Sequence, residues 1–238
     1  MSLEVLQAER QNHEARERLE HRKISCLGLE VGQRGLWQLL RGKPAARLGD
    51  PVKSWDILRT AEFVEARCPR TARILDIGAY KSEILCVLHR LGFSRLTGVD
   101  LNPGIQDMPF SDHIHYQVGN FLQAPFPDGS FDVVIAISVI EHGFDAPVLL
   151  RELSRLLGPG GCFVASVDYW PEKIDTADTR FFGMDWRIFS SLEVEAFVAQ
   201  ASGYGFSPVG ALHPGAGERA IHCAGRDYTF AWLALEKR

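Results

Sequence analysis

RILDIGAYKSEILCVLHRLGFSRLTGVDLN, residues Arg73 to Asn102, is the stretch whose reading decides the fold. A short apolar run of Ile74, Leu75 and Ile77 ends at Asp76-Ile77-Gly78. A β-rich run bounded by glycine marks a buried parallel strand. Ser82 is placed to cap a helix whose apolar residues Ile84, Leu85, Leu88 and Leu91 recur at helical spacing, with Gly92 as its stop. Leu96 to Asp100 is a second strand, closed by an acid. Together these make a βαβ unit of the kind that holds a nucleotide at the carboxyl ends of its strands. The helix N-terminal amides face that crevice, and the acid ending the second strand accepts hydrogen bonds from ribose hydroxyls. Asp76 and Asp100 stand 24 positions apart, close to the roughly 20-residue separation such units show.

The composition belongs to an ordinary water-exposed globular chain. Its 238 residues suffice for one α/β domain with an extension. Hydrophobic content of 46% and charged content of 24% support a sizeable core. A net charge of −4 gives no general pull toward nucleic acid or anionic lipid, so no nucleic-acid partner is expected. Cys26, Cys68, Cys86, Cys162 and Cys223 are odd in number and never form a CxxC pair, which fits a reducing, cytoplasmic location. No apolar run reaches the roughly 18 residues a transmembrane segment needs, and no signal-peptide core opens the chain.

Outward from the central stretch, residues 1–50 read as an N-terminal helical arm and connecting segment, and 51–238 as the α/β domain. The arm lacks Gly and Pro up to Lys23 and carries Glu and Arg at helical spacings, Glu14 with Arg18 among them. With few apolar residues it reads as a solvated arm, available to cover a site or to pair with a second copy in a homo-oligomer. Arg34, Arg41, Lys43 and Arg47 make the connecting segment basic, around an apolar cluster of Leu36, Trp37, Leu39 and Leu40. Asp50-Pro51 forms an N-cap with proline at the first helical position. Downstream, His115 to Gly119, Phe131 to Ile137 and Cys162 to Val167 read as strands, and residues 146–157 as an amphipathic helix. Ser190 and Glu193 form a capping box for a further helix. Phe206 to Leu212 and Tyr228 to Leu235 close the chain as strands.

Several motifs then fall in one order. Ile74-Leu75-Asp76-Ile77-Gly78 leads, followed by Gly98-Val99-Asp100-Leu101 and Gly119-Asn120-Phe121. Phe126-Pro127-Asp128-Gly129-Ser130-Phe131-Asp132-Val133-Val134, Ile140-Glu141-His142 and Leu156-Leu157-Gly158-Pro159-Gly160-Gly161 complete the set. In this series residues 54–236 resemble a class I S-adenosylmethionine-dependent methyltransferase. The resemblance implies a doubly wound, Rossmann-like, seven-stranded, mostly parallel sheet whose last strand is antiparallel. It implies S-adenosylmethionine as cofactor, with Asp76, Gly78 and Ala79 bordering the methionine moiety and Asp100 on the ribose. Leu101, Asn120 and Phe121 would flank the adenine, and Ser138 would lie near the amino-acid end. Two positions depart from the family: Tyr80 and Ser82 stand where glycine is usual, and Asn120 stands for a frequent aspartate. A tyrosine at position 80 must either point away or stack over the cofactor.

The activity expected is methyl transfer to a small-molecule acceptor, such as O-methylation of a sugar or another metabolite. Candidate general bases are His142, Asp168 and Tyr169, each following a central strand. No His and carboxylate cluster has metal-site spacing, so no metal is expected. Trp170, Phe181, Phe182, Trp186 and Phe189 are expected to wall the acceptor pocket. A methyltransferase fold that has lost catalysis and serves as a binding or regulatory protein is the alternative, and GAYKSE lacks the glycine spacing a nicotinamide dinucleotide requires.

Overall fold

Side chains alternate across a strand, so a strand apolar at both parities must feed a core on each face. The central strands here are of that kind. The computed structural model describes residues 3–32 and 46–238, and the apolar cluster and basic residues of 34–43 lie outside them. Its elements run β1 (Leu3–Val5), α1 (Glu9–His21), β2 (Glu30–Val31), β3 (Ala46–Arg47), α2 (Ser54–Arg67) and β4 (Arg73–Ile77). Then come α3 (Ile84–Arg90), β5 (Arg95–Asp100), β6 (Ile114–Val118), β7 (Phe131–Ile137), α4 (Ala146–Leu156) and β8 (Leu157–Tyr169). β9 (Arg180–Phe181), β10 (Met184–Asp185), α5 (Ser191–Ser202), β11 (Phe206–Pro208), β12 (Ile221–Cys223) and β13 (Arg226–Lys237) finish the chain.

The main sheet has the order β1-β13-β8-β7-β4-β5-β6, with β11 and β12 also paired to β13. From β8 to β6 every pairing is parallel, and β13 runs antiparallel to β8. Ile74, Val133, Ile135, Val164 and Trp232 face a core shared with α1, α2 and α3. Leu75, Ile77, Val134, Phe163 and Leu233 face the other, shared with α4 and α5. This is the mostly parallel sheet with an antiparallel last long strand that the motif order implies.

The outer edge of β13 is assembled from three short strands rather than one. β11 pairs with residues 235–237, β1 with 231–233 and β12 with 226–228. The closing strand expected from Phe206 to Leu212 therefore shortens to three residues, because β1 takes the next stretch of the edge. The N-terminal segment is not a solvated arm: Leu3, Val5, Leu6, Ala15 and Leu19 are buried. Two of its arginines reach α2, Arg18 pairing with Glu62 and Arg22 with Glu65 at 2.6 Å, while Arg10 pairs within the helix with Glu14 at 3.2 Å. Among the described residues no helix is long and apolar enough to cross a membrane, and all five cysteines are unbridged.

Candidate active site

Where β4, β5, β7 and β8 end, a cleft of about 1210 Å³ opens. Parallel strands place their carboxyl ends on one side of the sheet, and ligands bind there. The turn after β4 forms one wall. Gly78 adopts φ +71°, and a Cβ there would fall 2.5 Å from Val139 Cγ2, so glycine is required. Tyr80 and Ser82 need no such freedom: the second left-handed residue of the turn is Lys81, at φ 63°. The Tyr80 ring lies at the cleft wall and packs over Gly104, whose Cβ would come within 2.8 Å of Tyr80 Cε2. Ser82 does not cap α3. The helix begins one residue later behind Glu83, whose carboxylate accepts from Arg16 at 2.8 and 3.0 Å and from Cys26 N at 2.7 Å.

Asp100 ends β5 at the cleft. Its Oδ2 accepts from Tyr80 N at 3.0 Å and its Oδ1 from Asn102 N at 2.8 Å. Both oxygens keep a lone pair for a further donor. Leu101 lies beside it, 62% exposed, an apolar side chain on the cleft rim with no protein partner covering it. Asn120 caps the short turn at Phe121–Gln123 through its own Oδ1, 3.0 Å from Leu122 N, and Phe121 half-buries its ring at the opposite wall. Ser138, at φ 51°, ends β7 and accepts a hydrogen bond from Lys53.

Two of the expected cofactor residues stand behind this surface. Asp76 and Ala79 are buried and do not reach the cleft. Burial pushes Asp76 up to about 8; the Ser82 hydroxyl opposes the rise and the Asp100 charge adds to it. Neither Asp76 oxygen has a well-formed hydrogen bond. The residues fit an adenosyl amino acid in three respects: a ribose-accepting carboxylate, an uncovered apolar rim for a ring, and a glycine turn that admits close approach.

The inner half of the cleft joins segments distant in sequence. Lys53 Nζ lies 3.7 Å from Asp168 Oδ1 and 3.5 Å over the Phe230 ring. Asp168 Oδ2 accepts from Trp186 Nε1 at 2.7 Å. Glu141 is 1% exposed, and neither of its carboxylate oxygens has a partner. Burial, the neighbouring Asp168 charge and Asp56 push Glu141 well above the usual carboxylate range, against the pull of Lys53. Asp56, behind this wall, is pushed up to about 7 by burial while its Oδ2 accepts from Ser166 at 2.8 Å. His142 is held below the ordinary imidazole value, mainly by burial and also by Lys53, with Asp168 opposing. Its Nδ1 is enclosed without a partner, which leaves Nε2 as the ring nitrogen open to the cleft.

Of the three candidate bases, His142 and Asp168 line the cleft and Tyr169 does not. Strand alternation turns Tyr169 to the opposite face of β8, where its hydroxyl donates to Pro214 O at 2.6 Å. That alternation was available in the sequence. The insert aromatics divide likewise: Phe181, Phe182 and Trp186 line the cleft, whereas Trp170 stacks under Arg219 and Phe189 packs with Phe144. Lys53, Asp56 and Glu141 went unassigned in the sequence, because no local motif brings Lys53 to residues more than 80 positions later. Among the described residues no group of three or more His, Cys, Asp or Glu is arranged to hold a metal ion.

A family profile described as a methyltransferase domain matches residues 75–165. The demethylmenaquinone methyltransferase of Symbiobacterium thermophilum is 33% identical over 116 residues, 45% of this chain and 45% of that one. The chain spans less than half the length of the curated relatives it matches. Geranyl diphosphate C-methyltransferase from Streptomyces coelicolor A3(2) superposes with a TM-score of 0.57 at 17% identity, over 88% of this chain and 90% of that one. The [4+2]-cyclase SpnF superposes with a TM-score of 0.60 at 16% identity, over 99% and 98%. At such identities the structural likeness establishes the fold, and a fold shared with a cyclase does not by itself choose a reaction.

Proposed function

We infer, for a chain whose residues 75–165 belong to the class I S-adenosylmethionine-dependent methyltransferase family, that it transfers a methyl group from S-adenosylmethionine to a hydroxyl of a small polar acceptor. The observation that carries this reading is Asp100, whose carboxylate is fixed by two backbone amides at the rim and keeps lone pairs facing the cleft. Gly78, Leu101, Asn120, Phe121 and Ser138 surround the same half of the cleft. Bound there, S-adenosylmethionine supplies an electrophilic sulfonium methyl. Asp100 holds the ribose hydroxyls, and Leu101 covers one face of the adenine. Asp76 and Ala79 shape the turn from behind.

The acceptor occupies the inner half, under Trp186 and the β9–β10 hairpin. Much of the acceleration comes from holding the acceptor oxygen in line with the methyl, with water kept out by Phe181 and Trp186. His142, neutral at pH 7 because burial disfavours its charged form, takes the hydroxyl proton at Nε2. Asp168, fixed by Trp186 and Lys53, orients the acceptor.

The test is methyl transfer to a panel of hydroxylated metabolites, read with labelled cofactor. His142→Gln should lower kcat by about 10²- to 10⁴-fold and leave cofactor binding intact. The acid limb of the wild-type pH profile should lie below the ordinary imidazole value, in the direction His142 is shifted. Undiminished turnover in His142→Gln would remove it as the base.

A further inference from the structure

The inner recess is rich in carboxylate oxygens that no protein donor reaches. Glu141 Oε1 and Oε2 and Asp168 Oδ1 are buried without a hydrogen-bond partner, and His142 Nδ1, which carries the ring proton when Nε2 is the base, is enclosed without one as well. Glu141, 1% exposed, belongs to the cleft wall. Buried polar groups are normally paired, and leaving a charged one unpaired is expensive. The described groups around Glu141 offer one cation, Lys53, already placed on Asp168 and Ser138, against the three acids Asp56, Glu141 and Asp168. A ligand that completes this recess brings donors and positive charge. A carboxylate or phosphate would meet three acids against the single ammonium of Lys53.

The walls agree with that polarity. Trp186 and Tyr228 stand 5.8 Å apart edge to face, and Phe181 lies 5.2 Å from Trp186. Aromatic faces attract ammonium groups, most strongly where water is excluded. The chain supplies its own example at this spot: the Lys53 ammonium lies 3.5 Å over Phe230 and 3.7 Å from Asp168. We propose that the recess is a cation subsite, and that the acceptor carries an ammonium group seated between Glu141 and Asp168 beside the Trp186 ring. This rests on the methyltransferase reading only in naming the ligand as the acceptor. The elevated Glu141 carboxyl is consistent with it, since a bound cation favours the ionised form that burial alone disfavours.

Cyclohexylamine and cyclohexanol, alike in shape and unlike in charge, are the probes. Each is titrated calorimetrically into the full chain, with and without S-adenosylhomocysteine. The amine should bind about tenfold or more tightly than the alcohol. That preference should fall to within about threefold in Glu141→Gln and again in Asp168→Asn, with S-adenosylhomocysteine affinity retained in at least one of them as evidence of an intact fold. Equal binding of the two probes by the wild-type chain, or a preference unchanged in both variants, would overturn the proposal. An amine preference that disappears in the variants, from a chain that binds no S-adenosylhomocysteine, would leave the subsite standing and remove the methyltransferase reading.

Discussion

At the residue scale, the glycine turn shows how side chains can stand at two positions where the resembled motif usually has glycine. The left-handed positions of GAYKSE are Gly78 and Lys81, so Tyr80 and Ser82 carry side chains at no backbone cost. Sequence alone could not show this, because φ is fixed by the turn and not by the residue written in it. Asp76 was legible as part of the motif, but its lack of partners was not. Its carboxyl is pushed up to about 8 by burial. Between 3.8 and 8 the folded chain therefore keeps a proton that the unfolded chain releases. The stability this confers is full below pH 3.8 and declines as pH rises toward 8. Asp76→Asn removes the decline. Urea unfolding of the ligand-free chain should show the variant gaining on wild type from pH 4 to pH 8, at up to about 1.4 kcal/mol per pH unit. Parallel pH curves for the two proteins would contradict this reading of Asp76.

At the element scale, legibility followed the length and purity of the apolar pattern. Phe131–Ile137 has only Asp132 polar and forms a strand over those same residues. The Ser190–Glu193 capping box also forms as expected, opening α5. β1 was not legible, because Leu3-Glu4-Val5 sits in a charged, helix-favouring block and becomes a strand only through pairing with Ala231–Leu233. Non-local pairing overrides local propensity in such short elements. The N-terminal segment is further tied to the motif helix by Arg16 and Glu83, with side chains 12% and 1% exposed. Arg16→Ala strands a buried carboxylate at the wall of the cleft, and should cost about 3–5 kcal/mol of unfolding free energy. A loss under about 1 kcal/mol, the value of an exposed pair, would return this segment to the status of a loose arm.

At the scale of the whole molecule, one cleft holds both halves of the proposed reaction. Its outer half was readable because the cofactor motifs are local: each is a strand end plus the turn that follows. Its inner half was not, because Lys53, Glu141, Asp168 and Trp186 come from four separate segments that the sheet and the insert bring together. The proposed cofactor site centres on the outer half, and on Asp100 in particular. The deciding measurement is a calorimetric titration of the chain with S-adenosylmethionine, S-adenosylhomocysteine and NAD⁺, repeated on Asp100→Ala. Both adenosyl ligands should bind with Kd on the order of 1–100 μM, NAD⁺ should not bind, and both adenosyl ligands should be lost in the variant. Affinity unchanged in Asp100→Ala, or binding of NAD⁺ alone, would contradict this cofactor site.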